Sequence, residues 1–137
     1  MGTEIHWLGV LLGAVAAFMV GGFWYSVLFG KLWMAARGVT KEQVQASGAN
    51  PGMMFGITFV LELVMAFVLD HVFGTYTPRP DLQLSLLIAG GVALGFVIPA
   101  MGVNYLYQQA KLSLFLIDAG HWLFAFLVMV GVLYGVS

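Results

Sequence analysis

The chain has 137 residues, of which 61% are hydrophobic and 8% are charged, whereas charged residues make up about a quarter of a soluble domain. This composition excludes a soluble protein and predicts an integral membrane protein, whose main partner is the lipid bilayer. The net charge of −1 and the absence of cysteine exclude a nucleic-acid-binding surface, disulfides and cysteine nucleophiles.

Four long apolar segments without period-two alternation predict helices, because the strands of a membrane barrel are about 10 residues long and alternate. We therefore expect an all-α fold, in which a four-helix bundle forms one transmembrane domain over residues 1–137. The predicted spans are residues 5–29, 51–73, 82–108 and 112–135.

The first span carries a small residue at every fourth position, which places these residues on one helix face and allows another helix to approach closely. The sequence leaves open whether this face packs on the second span, on the third span or on another protomer. A homo-oligomer or a larger membrane complex therefore stays open as well. The small residues are Gly9, Gly13, Ala17 and Gly21.

The connection between the first two spans predicts two short helices. Lys31 and Arg37 flank apolar residues, a pattern typical of a short amphipathic helix in the headgroup layer. Thr40 followed by Gln43 is a capping box that starts a second short helix. Asn50 before a proline then predicts the start of the second span.

The third span contains Pro99, which predicts a kink in its helix. A shift of 80 residues aligns part of this span with the first span, and the match would relate the two halves of the chain as helical hairpins. The aligned residues are Gly22, Tyr25 and Lys31 in the first half and Gly102, Tyr105 and Lys111 in the second.

Polar side chains within the spans are the candidate functional residues. Glu62 lies near the middle of the second span, and Asp118 and His121 lie one helical turn apart in the fourth. By helical rise, His121 shares the level of Glu62, while Tyr25 and Asn104 lie in the same half of the bilayer. We expect one connected network, in which His121 faces Glu62 across the second and fourth spans.

A purely structural role is the alternative for this network. Polar side chains join helices in bilayers for about 1 kcal/mol or less, which explains Asn104 well. It explains Glu62 poorly, because a carboxyl group costs about 3 kcal/mol to insert where an amide would serve. We therefore interpret Glu62, Asp118, His121, Asn104 and Tyr25 as a candidate pocket or proton relay, and assign no catalytic residue.

Basic residues are unevenly distributed over the predicted loops. Lys31, Arg37 and Lys41 follow the first span and Lys111 follows the third, whereas Arg79 alone lies on the other side. Because loops that stay in the cytoplasm are enriched in lysine and arginine, we expect these two loops in the cytoplasm and both termini outside.

The segment GGFWYSVLFGKLW at residues 21–33, the Ile-Asp-Ala-Gly sequence at 117–120 and the four apolar spans together resemble a bacterial membrane-protein family catalogued as domain of unknown function 1761. The resemblance covers nearly the whole chain. It implies a small four-span protein of the bacterial inner membrane, without an assigned activity. Glu62 and His121 lie outside the family pattern. The matching residues are Trp24, Tyr25, Ser26, Phe29, Gly30, Lys31, Trp33 and Asp118.

These observations favour a small membrane protein whose polar pocket binds or translocates a proton, a small solute or a lipid headgroup. An accessory or structural subunit of a larger membrane complex is an alternative, favoured by the small size and the glycine-rich face. A cofactor-independent intramembrane enzyme with His121 as base is a further alternative, but no nucleophile, phosphate-loop or metal motif supports it. We expect no cofactor and no bound metal.

Overall fold

The computed structural model describes residues 4–137 as a bundle of helices. Four helices are long and apolar enough to cross a membrane, and no strand occurs between residues 4 and 137. The predicted all-α fold is therefore confirmed. The four long helices are Trp7–Leu28, Pro51–Gly74, Leu82–Tyr107 and Leu112–Val136, which we call the first to fourth spans.

Two short helices connect the first and second spans. Gly30–Arg37, which we call the linker helix, is the predicted amphipathic helix, and Lys41–Ala46 follows it. The capping box is present, because the side chains of Thr40 and Gln43 each accept a hydrogen bond from the other's backbone N–H. Asn50 caps the second span in the same way through its side chain. Both predicted helix starts are confirmed.

The fourth span forms the centre of the bundle. It is the most buried of the four and contacts each of the other three spans. Large side chains of this span meet alanines on its neighbours, and such small residues allow helix axes to lie close together. The buried apolar residues of the fourth span include Phe126, Met129, Val130 and Leu133, and the fully buried alanines of the other spans are Ala14, Ala17, Ala66, Ala89 and Ala93.

The small-residue face of the first span packs against the fourth span, a partner that the sequence did not single out. A Cβ added at Gly9, Gly13 or Gly21 would lie 3.4, 3.3 or 3.1 Å from a side-chain atom of the fourth span. Ala17, between these levels, is fully buried. This face is therefore covered by the fourth span of the same chain.

Two π-helical turns interrupt the spans. One, at Trp24–Leu28, ends the first span, and the other, at Ala93–Val97, lies inside the third. The second turn lies next to Pro99, where the sequence predicts a kink, and a proline has no N–H to offer the carbonyl four residues before it. That carbonyl belongs to Gly95, within the widened turn. Each π-helical turn adds one residue. The residues that face the core after the turn are therefore shifted by one position along the chain.

One end of the bundle is closed by a group that we call the clasp. It consists of Asp70, Arg79 and His6. The carboxylate of Asp70 is fully buried and accepts hydrogen bonds from Nη2 of Arg79 at 2.5 Å and from the backbone N–H of His6 at 2.9 Å. The imidazole Nδ1 of His6 lies 3.5 Å from the same carboxylate. The clasp thus joins the start of the first span, the second span and the loop before the third.

The two halves of the second span are packed differently. All of its buried residues lie between Glu62 and Gly74, toward the clasp. Every residue in 51–58 is exposed. This half lies toward the opposite end of the bundle, which we call the basic end because it carries Lys31 and Lys111. The second span is therefore held firmly at the clasp and stands away from the core at the basic end.

Candidate functional site

A groove with a volume of about 700 Å³ lies between the first and second spans in the basic half of the bundle. It extends from Trp33 on the linker helix to Glu62 in the middle of the second span. Met54, Phe55 and Thr58 line it and are themselves exposed, so the groove opens sideways from the bundle. Its aromatic lining comprises Phe18, Tyr25, Trp33, Phe55, Tyr105 and Trp122.

Asp118 is the centre of the hydrogen-bond network at this groove. The hydroxyl of Tyr25 donates to its Oδ1 and the hydroxyl of Tyr105 donates to its Oδ2, both at 2.5 Å. Asp118 is 7% exposed. The network therefore joins the first, third and fourth spans through one carboxylate. Tyr25 points into the groove, as the sequence predicted, since a phenol in an apolar setting seeks a partner.

The expected position of Asn104 is wrong. Asn104 is exposed and lies outside the groove, and the next residue, Tyr105, occupies the place foreseen for it. The π-helical turn at Ala93–Val97 explains the difference, because its extra residue moves the inward face of the third span one position along the chain. The inward face runs through Ser85 and Ala89 before this turn and reaches Tyr105 after it.

Glu62 and His121 line the same groove, but the single connected network predicted for them is not formed. Within residues 4–137, no hydrogen bond reaches Oε2 of Glu62 or either ring nitrogen of His121, and these atoms are buried. The two side chains are 1% and 5% exposed. A buried polar atom without a partner costs about 1–3 kcal/mol. These unpartnered atoms are therefore the strongest sign of a ligand site.

Aromatic side chains hold the imidazole of His121 in place. Its ring centroid lies 5.1 Å from that of Tyr25 and 4.7 Å from that of Trp122. Gly21 provides the space behind it, since a Cβ there would lie 3.1 Å from Nε2 of His121. The imidazole is fixed by packing alone, which leaves both nitrogens free to accept or donate a hydrogen bond.

The motif at residues 24–33 builds the wall of the groove. The indole N–H of Trp24 donates to the carbonyl of Ile117 at 3.0 Å, next to Asp118. The N–H of Phe29 donates to the carbonyl of Trp24 at 2.8 Å and closes the π-helical turn. A Cβ at Gly30 would lie only 2.5 Å from the carbonyl oxygen of Tyr25. The backbone course that positions Tyr25 therefore requires glycine at position 30.

The other motif residues lie around this turn. The hydroxyl of Ser26 donates to the carbonyl of Gly22 one turn earlier, and Ser26 also lines the groove. Lys31 is exposed and does not line it. Trp33 faces the groove, and its ring centroid lies 5.8 Å from that of Tyr25. The motif thus combines backbone, aromatic and hydrogen-bonding roles at one wall.

A family model described as "Protein of unknown function (DUF1761)" matches residues 8–134. The chain belongs to this family. No curated protein and no solved structure matches it. The match includes nearly all of the four spans, and the groove of this DUF1761 protein lies entirely within the matched region.

Sequence reasoning missed Tyr105. The signal was present, because the shift of 80 residues pairs Tyr105 with Tyr25, and in this chain their hydroxyls donate to the two carboxylate oxygens of Asp118. No group of three His, Asp or Glu side chains within residues 4–137 comes close enough together to hold a metal ion. The candidate site is therefore a set of hydrogen-bonding groups at the deep end of an apolar groove.

Proposed function

We propose that this DUF1761 protein binds a small amphiphilic molecule that enters the groove from the bilayer. The observation that carries the proposal is the burial of Glu62 and His121, with unpartnered polar atoms, at the deep end of one groove. In this proposal the polar group of the ligand binds Glu62 and His121, and its apolar part lies along the aromatic lining.

The shape of the groove supports a ligand of this class. Its volume of about 700 Å³ falls within the range of about 300–1,000 Å³ found for small-molecule sites, which are mostly apolar with a few convergent polar groups. The lateral opening at Met54, Phe55 and Thr58 would face lipid if the spans cross a membrane. A molecule dissolved in the bilayer could then enter without crossing a polar layer.

Saturable binding of Nile red, a neutral lipid-soluble dye, tests this function. The protein would be placed in nanodiscs of phosphatidylcholine, with protein-free nanodiscs as background. Gly22 lines the groove, and a Cβ added there meets no atom within 4 Å. We expect Gly22→Phe to fill the groove and weaken dye binding by at least about tenfold, since a bulky ring displaces ligand atoms from the site.

Gly56→Phe is the matched control. Gly56 also has open space around it and is exposed, but it does not line the groove. The control should bind the dye as tightly as the unmodified protein does. Absence of saturable binding, or equal loss in both variants, would contradict a ligand function for this groove.

We further propose that the protein spans the cytoplasmic membrane of a bacterium with both termini outside. Four of the five lysine and arginine residues lie at the basic end, which the distribution rule for loops assigns to the cytoplasm. Reporter fusions at Gly48 and Lys111 should then read as cytoplasmic, and fusions at Thr77 and Ser137 as external. A single fusion with the opposite reading would contradict this orientation.

A further inference from the structure

We infer that the groove selects a hydrophobic cation, such as a protonated amine on an aromatic or aliphatic body. This inference rests on the proposed binding function and names its ligand class. It comes from the charges and hydrogen-bonding groups that face the groove, taken together with its aromatic lining.

The first step concerns the charge at Asp118. Both of its carboxylate oxygens accept a tyrosine hydroxyl at 2.5 Å. An ionised carboxylate only accepts hydrogen bonds, and each phenol supplies one donor, so this arrangement suits the ionised form. Within residues 4–137, no lysine, arginine or histidine nitrogen lies within 4.0 Å of this carboxylate. Its charge has no cationic partner in the described chain.

The second step concerns the groups that await a partner. Glu62 is the other carboxyl group in the groove, and the imidazole of His121 lies in the same lining. A carboxylate accepts hydrogen bonds, and a neutral imidazole accepts one at one of its nitrogens. A ligand with N–H donors could therefore satisfy an ionised Glu62 and the accepting nitrogen of His121, whereas a ligand that carries only acceptors could not satisfy an ionised Glu62.

The third step concerns the basic and aromatic side chains of the groove lining. In the described part of the chain, no lysine or arginine lines it. An anionic ligand would meet two carboxyl groups and no fixed cation. Aromatic faces attract cations, more strongly when water is excluded. Tyr25 and Trp122 provide such faces beside His121, and Trp33 provides another at the linker helix. Both the charges and the aromatic rings therefore favour a cation.

A matched set of three probes tests this inference. The probes are 1-naphthylmethylamine, which is cationic at neutral pH, 1-naphthylmethanol, which is neutral, and 1-naphthoate, which is anionic. Their ring systems are the same and their sizes are similar. Each would displace Nile red from the protein in phosphatidylcholine nanodiscs, with concentrations corrected for partition into protein-free nanodiscs.

We expect the amine to displace the dye at a concentration at least about tenfold lower than the alcohol does, as one charge-assisted hydrogen bond would produce. The naphthoate should be the weakest of the three. In Glu62→Gln the ratio between alcohol and amine should fall toward one. Glu42→Gln, which makes the same change at an exposed residue of the helix Lys41–Ala46, should keep the full ratio.

The outcomes distinguish a failure of this inference from a failure of the proposed binding function. If the dye binds but the amine and the alcohol displace it equally, or the naphthoate is strongest, the cation inference is overturned and the binding function stands. If no dye binds, both are overturned. The midpoint of unfolding in sodium dodecyl sulfate verifies that Glu62→Gln is folded, and a folded variant that keeps the full ratio also overturns the inference.

Discussion

Two carboxylates of the second span, Asp70 and Glu62, are equally buried but have opposite surroundings. Asp70 receives hydrogen bonds from Arg79 and from the backbone of His6. Glu62 lies about 12 Å earlier along the helix, and its buried Oε2 has no partner in the described chain. Asp70 is therefore a structural carboxylate that joins parts of the bundle, whereas Oε2 of Glu62 is left without a hydrogen-bond partner by the described chain.

The packing of the two halves of this span follows the same division. From Glu62 to Gly74 one face of the span is buried against its neighbours, whereas every residue in 51–58 is exposed. At the clasped end Trp7 stacks on Phe67, with ring centroids 5.7 Å apart. At the basic end the groove lies between the same two spans. Stability is therefore concentrated at one end of the bundle and the candidate site at the other.

The largest effect should come from breaking the clasp. Asp70→Ala leaves Arg79 without its buried partner and removes an acceptor for the backbone of His6. Removing one member of a buried ion pair costs about 3–5 kcal/mol, and we expect a loss of about 3 kcal/mol because Arg79 is partly exposed and can reach solvent. Unfolding in sodium dodecyl sulfate, followed by circular dichroism, measures the change.

Asp81→Ala provides the reference for the clasp variant. Asp81 caps the third span by accepting from the N–H of Leu84 at 2.8 Å and is exposed. Losing a helix cap costs about 1 kcal/mol. If Asp70→Ala is no more damaging than Asp81→Ala, the clasp does not hold the bundle together and the contrast between the two carboxylates fails.

Backbone crowding should give the next largest effect, this time on the side of the groove. A methyl group at Gly30 would lie 2.5 Å from the carbonyl oxygen of Tyr25. Gly30→Ala should therefore cost about 2 kcal/mol through a forced backbone shift. Gly22→Ala, where the methyl group meets no atom within 4 Å, should be neutral or slightly stabilising. Equal unfolding midpoints for both variants would contradict a need for glycine at position 30.

The tyrosine hydroxyls should have smaller effects that depend on each other. Tyr25→Phe and Tyr105→Phe each remove one hydrogen bond to Asp118, which we expect to cost about 1 kcal/mol in a membrane protein. Because the two bonds share one carboxylate, the double variant should not equal the sum of the single variants. Tyr107→Phe is the control, since Tyr107 is 83% exposed. Additive losses would show that the two hydroxyls act independently.

The smallest effect on stability is expected at Glu62 itself. Glu62→Gln removes no hydrogen bond made by the described chain to Oε2, and an amide is less costly to bury than a carboxylate. The free energy of unfolding should change by less than about 1 kcal/mol, in contrast to Asp70→Ala. A loss as large as that of Asp70→Ala, measured in the same titration, would place Glu62 among the structural carboxylates.

The fold followed directly from the sequence because its signals are local. Span length, the caps at Thr40 and Asn50 and the capping box each depend on neighbouring residues alone. The residues of the third span that face the groove could not be predicted. A regular helix would place Asn104 on the inward face, whereas one π-helical turn shifts that face by one residue and places Tyr105 there. Residues 93–97 themselves carry no sequence signal for such a turn. Pro99, two residues later, is the nearby signal.

The sequence predicted most residues of the candidate site correctly but not the hydrogen bonds among them. Glu62, Asp118, His121 and Tyr25 all line one groove. Their expected link failed because the direction of a side chain across two helices depends on how those helices tilt. The exposure of residues 51–58 shows that the second span leaves the core on the basic side of Glu62, along the groove.

Gly22, an exposed residue that lines the groove, offers a way to observe access to it. The chain contains no cysteine, so Gly22→Cys would introduce a thiol that has no competitor in the molecule. Because a Cβ at this position meets no atom within 4 Å, we expect the cysteine to leave the bundle undisturbed. The rate at which this thiol reacts with a water-soluble maleimide would be compared with its rate with a lipid-soluble maleimide. The faster reagent shows whether molecules reach the groove from the aqueous phase or from the bilayer.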